Sequence, residues 1–470
     1  MNISTIIKSI RDIMRKDSGV DGDAQRISQM VWMLFLKIFS DKEGEWKNRI
    51  SNYKSPIPHH LKWENWAVNN TKLTGEALID FINQELFATL KHLDEKENEY
   101  AHVVKAVFED TYNYMKNGTL FRQVVIEIDK INFSSSREIH VFNEIYETIL
   151  KELQSAGSSG EYYTPRAVTQ FMVEMTEPSK GQKILDPACG TGGFLTCSID
   201  YIQAMDSTAD IELLEDTVLG IEKKPLPHLL CTTNLMLQGF ASPKIHRDNL
   251  LSKPYSTWLE DDQVDVIFSN PPFGGLEEDG TEDNFPINFR TKETSDLFVA
   301  LIIKLLKKNG KAAIILPDGF LFGEGVRTRI KQELLDQCNL HTIVRLPNGV
   351  FSPYTNIKTN LLFFEKGKPT QYIWYFEHPL PPNQKSYNRS RPITLKEFEI
   401  EKTWWNKRQE NDYSWKVSIN DIKKRNYNLD ISSPYFGEQE EKLNSDEIVL
   451  RLERSMQRSQ ELLSFLKIKF

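Results

Sequence analysis

Apolar residues recur at spacings of three and four through the first third of the chain. Ile3, Ile6, Ile7, Ile10 and Ile13 form one stripe, and Ile27, Met30, Val31, Leu34 and Ile38 form another behind the turn cluster Asp21-Gly22-Asp23. This spacing keeps one helical face apolar, so both stretches read as helices with a buried side. Leu78, Phe81, Ile82, Leu86 and Leu90 repeat the pattern, Val103 to Tyr114 continues it, and Pro56-Ile57-Pro58 marks a loop between the groups. Residues 1–156 are therefore expected to form a helical N-terminal domain. His59-His60, beside that loop, reads as a solvated turn rather than a ligand pair.

The pattern changes after the flexible stretch Gly157-Ser158-Ser159-Gly160. Thr164 as N-cap and Pro165 as first-turn residue predict a helix to about Met175. Short β-branched runs then alternate with helical ones. Ile184 to Pro187, Val218 to Glu222, Lys244 to Asn249, Val264 to Ser269, Lys311 to Leu316, Leu340 to Arg345 and Asn360 to Phe364 read as strands. Helices are expected over Gly193 to Met205, around Leu229, Leu230, Asn234 and Leu237, over Asp296 to Leu306 and over Arg327 to Leu335. The expectation for residues 157–370 is a seven-stranded, doubly wound, Rossmann-like α/β sheet. Glu277, Glu278, Asp279, Glu282 and Asp283 around Gly280 read as a mobile acidic loop. Residues 371–440, with Pro379, Pro381, Pro382 and Trp404-Trp405, read as an irregular extension. In 441–470, Val449, Leu452, Met456, Ser459, Leu463, Leu466 and Phe470 keep the spacing of a heptad seam, which predicts an amphipathic, partner-binding helix.

At 470 residues and 40% apolar content, the chain can bury more than one core. The apolar run Met30 to Phe39 is broken by Lys37 and too short to span a membrane, and Ile3 to Met14 is interrupted by Lys8, Arg11 and Asp12, unlike a secretory signal. A cytoplasmic protein is expected. The four cysteines, Cys189, Cys197, Cys231 and Cys338, form no CxxC pair, so reduced thiols and no metal site are expected. None follows a proline, which disfavours the cytosine-C5 methyltransferases and their Pro-Cys nucleophile. A formal net charge of −8 leaves two readings for a DNA-binding role: either the basic residues cluster on one face, or another chain supplies most of the grip on DNA, and net charge does not choose between them.

The candidate chemistry centres on Asn270-Pro271-Pro272-Phe273, which directly follows the strand Val264 to Ser269. Two prolines forbid further ladder donors and stiffen the exit, so Asn270 is expected on a rigid strand tip. Its amide oxygen and the Pro271 carbonyl are two acceptors suited to an amino group on a planar ring, with Phe273 as a flat face for the ring. Upstream, Asp186-Pro187-Ala188-Cys189-Gly190-Thr191-Gly192-Gly193 reads as a strand end, a glycine-rich turn and a helix start, where backbone approaches a ligand closely. Glu222 ends the second strand, at the position that takes a ribose diol in doubly wound folds. Asp248 follows the third strand, as an acceptor for an adenine or as a simple cap.

Together these stretches resemble the N6-adenine DNA methyltransferases, and the chain as a whole resembles the modification subunit of type I restriction-modification systems. The resemblance implies S-adenosylmethionine as methyl donor, held by the Gly190–Gly193 turn, Asp186, Glu222 and Asp248. It carries a cofactor-lining role to Glu161, Tyr162, Tyr163, Thr164, Pro165 and Arg166. It implies direct methyl transfer to an adenine flipped out of double-stranded DNA. Implied partners are a specificity subunit at the C-terminal end, a second modification subunit and, where the system cleaves, a restriction subunit. The N-terminal helices would help clamp DNA. Two other readings remain open on sequence: methylation of a glutamine side chain or a guanine amino group, and a scaffold subunit without turnover.

Overall fold

The computed structural model describes residues 3–68, 72–133, 164–352, 355, 357–382 and 384–435. The stretch 157–163, with Glu161, Tyr162 and Tyr163, and the seam Val449 to Phe470 lie outside them.

The strands are β1 (Ile184–Asp186), β2 (Val218–Ile221), β3 (Lys244–His246), β4 (Val264–Ser269), β5 (Leu306–Pro317), β6 (Cys338–Arg345), β7 (Thr359–Lys366), β8 (Tyr372–Glu377) and β9 (Ser414–Ser418). They form one nine-stranded sheet in the order β3-β2-β1-β4-β5-β7-β6-β8-β9. The first five strands in that order run parallel, and β7 is inserted antiparallel between β5 and β6. All seven expected strands are present. Two more come from the stretch read as irregular: β8 pairs parallel with β6, and β9 pairs antiparallel with β8. They join the sheet because Tyr375 stacks on Trp415, both buried, and continues the core under the strands.

Alternation along each strand divides the core in two. In β4, Val266 and Phe268 enter one apolar cluster with the helices Arg166–Thr176 and Gly193–Met205, while Ile267 enters the other with Thr294–Leu305 and Val326–Gln337, joined there by Val264 because the register shifts between Val264 and Val266.

The N-terminal third is helical, as its periodicity indicates: Ile3–Met14, Gly22–Arg49, the consecutive turns Gly75–Asp80, Phe81–Leu86 and Phe87–Lys91, Ala101–Phe108 and Gly118–Asp129. The helix expected to reach Tyr114 stops at Phe108. His59 and His60 are exposed. The core of this bundle takes in Leu229, Leu230, Met236 and Leu237 from the helix Pro225–Leu237, which is thus wedged between bundle and sheet. No helix among the described residues is long and apolar enough to cross a membrane.

Candidate active site

β4 is buried along its length apart from the half-buried Asp265, and its ladder stops where Pro271 and Pro272 offer no N–H. On one side, Ser269 pairs with Ile314, yet β5 runs on to Pro317, so β5 stands about 10 Å taller than the tip. β7 begins at Thr359 opposite Pro317, and the two strands form a wall beside Asn270. On the other side, β1 pairs directly with β4 through Ile184–Val266 and Leu185–Ile267. The glycine-rich turn therefore leaves the sheet next to the Asn270 tip.

Backbone and side chains brace that turn. The Cys189 N–H donates to the Ile221 carbonyl at 2.9 Å, and Asn234 Nδ2 donates to the Thr191 carbonyl at 2.9 Å. Glu222 uses both oxygens: Oε2 accepts from Gly190 N–H at 2.9 Å and Oε1 from Lys224 N–H at 2.8 Å. Gly190 (φ +53°) and Gly192 (φ +83°) adopt left-handed conformations that favour glycine. A Cβ on Gly192 would sit 2.7 Å from Cys231 Sγ, whereas one on Gly190 would meet nothing within 4 Å. The Gly190 side of the turn is thus an open cradle. Asp186 is buried, with an oxygen accepting from the Ala188 N–H at 3.2 Å. Burial pushes its carboxyl well above the usual range; the Ala188 N–H opposes this and the Glu222 charge adds to it. All four cysteines are buried and free. Contact with Cys231, 3.7 Å away, and burial hold the Cys189 thiol well above its ordinary value.

Asn270 is half-buried, and its Nδ2 donates to Thr164 Oγ1 at 2.9 Å. This corrects the expected cap: Pro165 is the N-cap of Arg166–Thr176, with no side-chain capping bond, and the Thr164 hydroxyl is given to Asn270. Arg166 pairs with Asp200 at 3.3 Å. Phe273 is only 3% exposed, within the core that includes Val168, Phe194 and Phe268, so its ring is not presented as an open face. Asp248 is exposed; its carboxylate accepts from Asn249 N–H at 2.7 Å and its own N–H donates to the Glu222 carbonyl at 3.2 Å.

The acidic segment is tied down rather than loose. Glu277 N–H donates to the Lys292 carbonyl, Asp279 pairs with Lys292, and Asp283 pairs with Arg290. Glu277, with an 8% exposed side chain, accepts from Asn249 Nδ2 at 3.1 Å and from Thr294 Oγ1 at 3.2 Å, and lies 3.4 Å from Lys223. An ammonium, an amide and a hydroxyl partner give it a structural use that an acid-rich stretch does not announce.

Comparison with known proteins follows the same outline. The N-6 DNA Methylase family model matches residues 137–443, and the HsdM N-terminal domain model matches residues 3–128. The type I restriction enzyme EcoEI methylase subunit of Escherichia coli is 55% identical over 450 residues, covering 93% of this chain and 91% of that protein. The chain belongs to the type I restriction-modification methylase subunits. Among solved structures, a type I modification subunit from Vibrio vulnificus matches with a TM-score of 0.85 and 40% identity over 92% of this chain and 97% of that one. A chain from a type I restriction-modification system matches at 0.81 and 32% identity, over 99% and 96% of the two chains.

In this methylase subunit, then, the same end of the strands gathers Thr164, Asp186, Gly190 to Gly193, Glu222 and Asn270 from four separate stretches of chain. Arg166 points to Asp200 instead, and Asp248 stays at the exposed margin. Asn234 braces the glycine-rich turn from the neighbouring helix, and sequence reading missed it. Asn234 sits within an apolar helix and offers only its polarity there as a signal.

Proposed function

We propose that this chain methylates N6 of an adenine in double-stranded DNA with S-adenosylmethionine, at sites chosen by a separate specificity subunit. The observation that carries the reading is the direct pairing of β1 with β4, which sets the glycine-rich turn beside the Asn270 tip. The turn fits the cofactor. Gly190 faces open space, and the Glu222 carboxylate, which accepts from the Gly190 and Lys224 N–H groups, stands just past the second strand, at the position that takes a ribose diol in doubly wound folds. Asp186 and Asn234 hold the turn's shape, and Asp248 offers a further acceptor at its margin.

When bound, S-adenosylmethionine supplies an electrophilic methyl group. Asn270 Oδ1 and the Pro271 carbonyl would accept the two N6 hydrogens of the flipped base, drawing the nitrogen lone pair out of conjugation. Pro271 and Pro272 hold these acceptors in place because neither φ can turn. Phe273 stacks on the base once flipping, at a cost of a few kcal/mol, brings it to the tip. Since the ring is buried here, stacking requires the base to replace part of its present packing. Glu161, Tyr162, Tyr163, Thr164, Pro165 and Arg166 close the cofactor side of the pocket. The protein works in the cytoplasm with a specificity subunit and a second modification subunit, joined by a restriction subunit in cleaving complexes.

The test is methyl transfer by the chain purified with its co-encoded partners, with the modified base identified by mass spectrometry of digested DNA. N6-methyladenine is expected. Asn270→Ala should remove transfer while cofactor affinity stays near that of the parent. Retained turnover in that variant, or a methyl group on another base, overturns the reading.

A further inference from the structure

An asparagine amide has two ends of nearly equal size, one donating and one accepting, and its terminal torsion is soft. If Asn270 is the acceptor for an adenine amino group, as proposed above, its Oδ1 must face the base. Turned the other way, its NH2 would meet the N6 hydrogens, donor against donor. Neither fixed proline φ angles nor β4 pairing decides this, because both act on the backbone alone.

One contact bears on the amide itself and not only on the backbone: the 2.9 Å bond from Asn270 Nδ2 to Thr164 Oγ1, across 106 residues of chain. We infer that Thr164 is the positioning residue for the Asn270 amide: its hydroxyl takes one hydrogen of the NH2 end and so turns Oδ1 toward the target amino group. The reversed amide would spend Oδ1 on the hydroxyl proton and lose it as an acceptor. Both partners immediately precede a proline, Pro165 and Pro271, which restricts the backbone of each to extended conformations. The bond therefore joins two stiff points, and a shift in either is passed to the amide rather than absorbed. Pro165 also opens the helix Arg166–Thr176, whose buried Val168, Phe171 and Met172 anchor it in the sheet's core. The segment expected to line the cofactor thus also orients the acceptor.

The experiment uses the complex with the specificity subunit and compares Thr164→Val, which keeps shape and loses the hydroxyl, with Thr164→Ser, which keeps the hydroxyl. Single-turnover methyl transfer should fall about 10- to 100-fold in the valine variant, the range expected when a reacting group is misplaced by a fraction of an ångström to an ångström. Because Thr164 also belongs to the segment proposed to line the cofactor, affinity read by calorimetry should fall somewhat, but by much less than the rate. Serine should restore most of the rate. Thr164→Ala makes the same comparison if the valine variant does not fold. Wild-type turnover in the valine variant, or a loss matched by weaker cofactor binding, overturns the inference while an inactive Asn270→Ala leaves the acceptor reading standing. An active Asn270→Ala instead overturns the acceptor reading itself.

Discussion

Glu222 accepts from the Gly190 and Lys224 N–H groups, so its carboxylate shapes the glycine-rich turn proposed to hold the cofactor. Replacing it by alanine removes two charge-assisted bonds together with the proposed ribose contact. At about 1.5–3 kcal/mol for a bond to a charged group, Glu222→Ala should weaken S-adenosylmethionine binding at least tenfold by calorimetry. A variant that bound cofactor normally and lost only DNA affinity would contradict the ribose assignment. His228 gives a second expectation at this scale. It is buried between the helix Pro225–Leu237 and β3, with Nε2 3.1 Å from the Ile245 carbonyl. Burial pulls its pKa from 6.5 down to about 4, the Ile245 contact resisting. Between those values the unfolded chain binds a proton that the folded chain does not, so stability is present above about pH 6.5 and lost as pH falls toward 4. The drop corresponds to at most about 3 kcal/mol. Urea melts of His228→Gln against the parent should show a shallower loss over that window, and parallel pH profiles would refute the assignment. The residue scale was partly legible. Asn270 was marked by the two prolines after it and Glu222 by its place at a strand end, but the Thr164 hydroxyl was read as a helix cap. Sequence gives the local use of a hydroxyl and not a partner that folding brings from 106 residues away.

At the scale of elements, the two left-handed glycines of the turn have different surroundings and should fail differently. Gly190→Ala has room for its methyl group, so only the left-handed backbone is penalised, by about 1–2 kcal/mol, but the methyl group projects into the cradle. Gly192→Ala carries the same backbone cost and also collides with Cys231 behind the turn. We therefore expect Gly190→Ala to stay folded and lose cofactor binding, and Gly192→Ala to show the larger drop in denaturant midpoint. Equal loss of stability in both would refute this account. The seven expected strands were visible because their β-branched runs are bounded by turns, and β4 because two prolines end it. β8 and β9 were missed for a physical reason. β8 is followed by Pro379, Pro381 and Pro382, which reads as irregular chain, and its partners β6 and β9 are distant in sequence. The helix Pro225–Leu237 shows the converse limit. Its residues from His228 to Leu237 are buried, and no periodicity reveals that Leu229 and Met236 serve the helical bundle while Cys231 and Leu235 serve the sheet.

Across the whole molecule, that shared helix joins the N-terminal bundle to the catalytic sheet, reinforced by Trp46 Nε1 donating to the Gly239 carbonyl at 3.0 Å and by Arg49–Glu212 and Arg247–Glu109 pairs at 2.6 and 2.8 Å. The far end of the described chain is also pinned. Leu429 N–H donates to the Leu321 carbonyl at 3.0 Å, Tyr375 O–H donates to the Leu429 carbonyl at 3.0 Å, and Arg345 pairs with Asp430 at 2.7 Å. These contacts fasten residues 429–430 to the strand ends on the side of the sheet that carries Asn270, and the chain continues from there toward 441–470. All are made before Tyr435. Removing residues 446–470 should leave the catalytic domain folded and cofactor binding unchanged, because all nine strands and the contacts of residues 429–430 precede them. We expect the subunit alone to hold DNA weakly and without sequence preference, with its site-specific work depending on the specificity subunit; the net charge of −8 fits the weak grip and says nothing of the preference. The heptad spacing from Val449 to Phe470 is the segment expected to supply that contact. The truncated chain should thus fail to assemble with the specificity subunit and lose site-specific methylation. Charged replacements at Leu452, Leu463 and Leu466 should do the same, each placing an unpaired charge in the proposed apolar contact. Size-exclusion chromatography of the mixed subunits makes the comparison: co-elution of the truncated chain with its partner, together with specific methylation, would mean that the seam only packs on its own subunit.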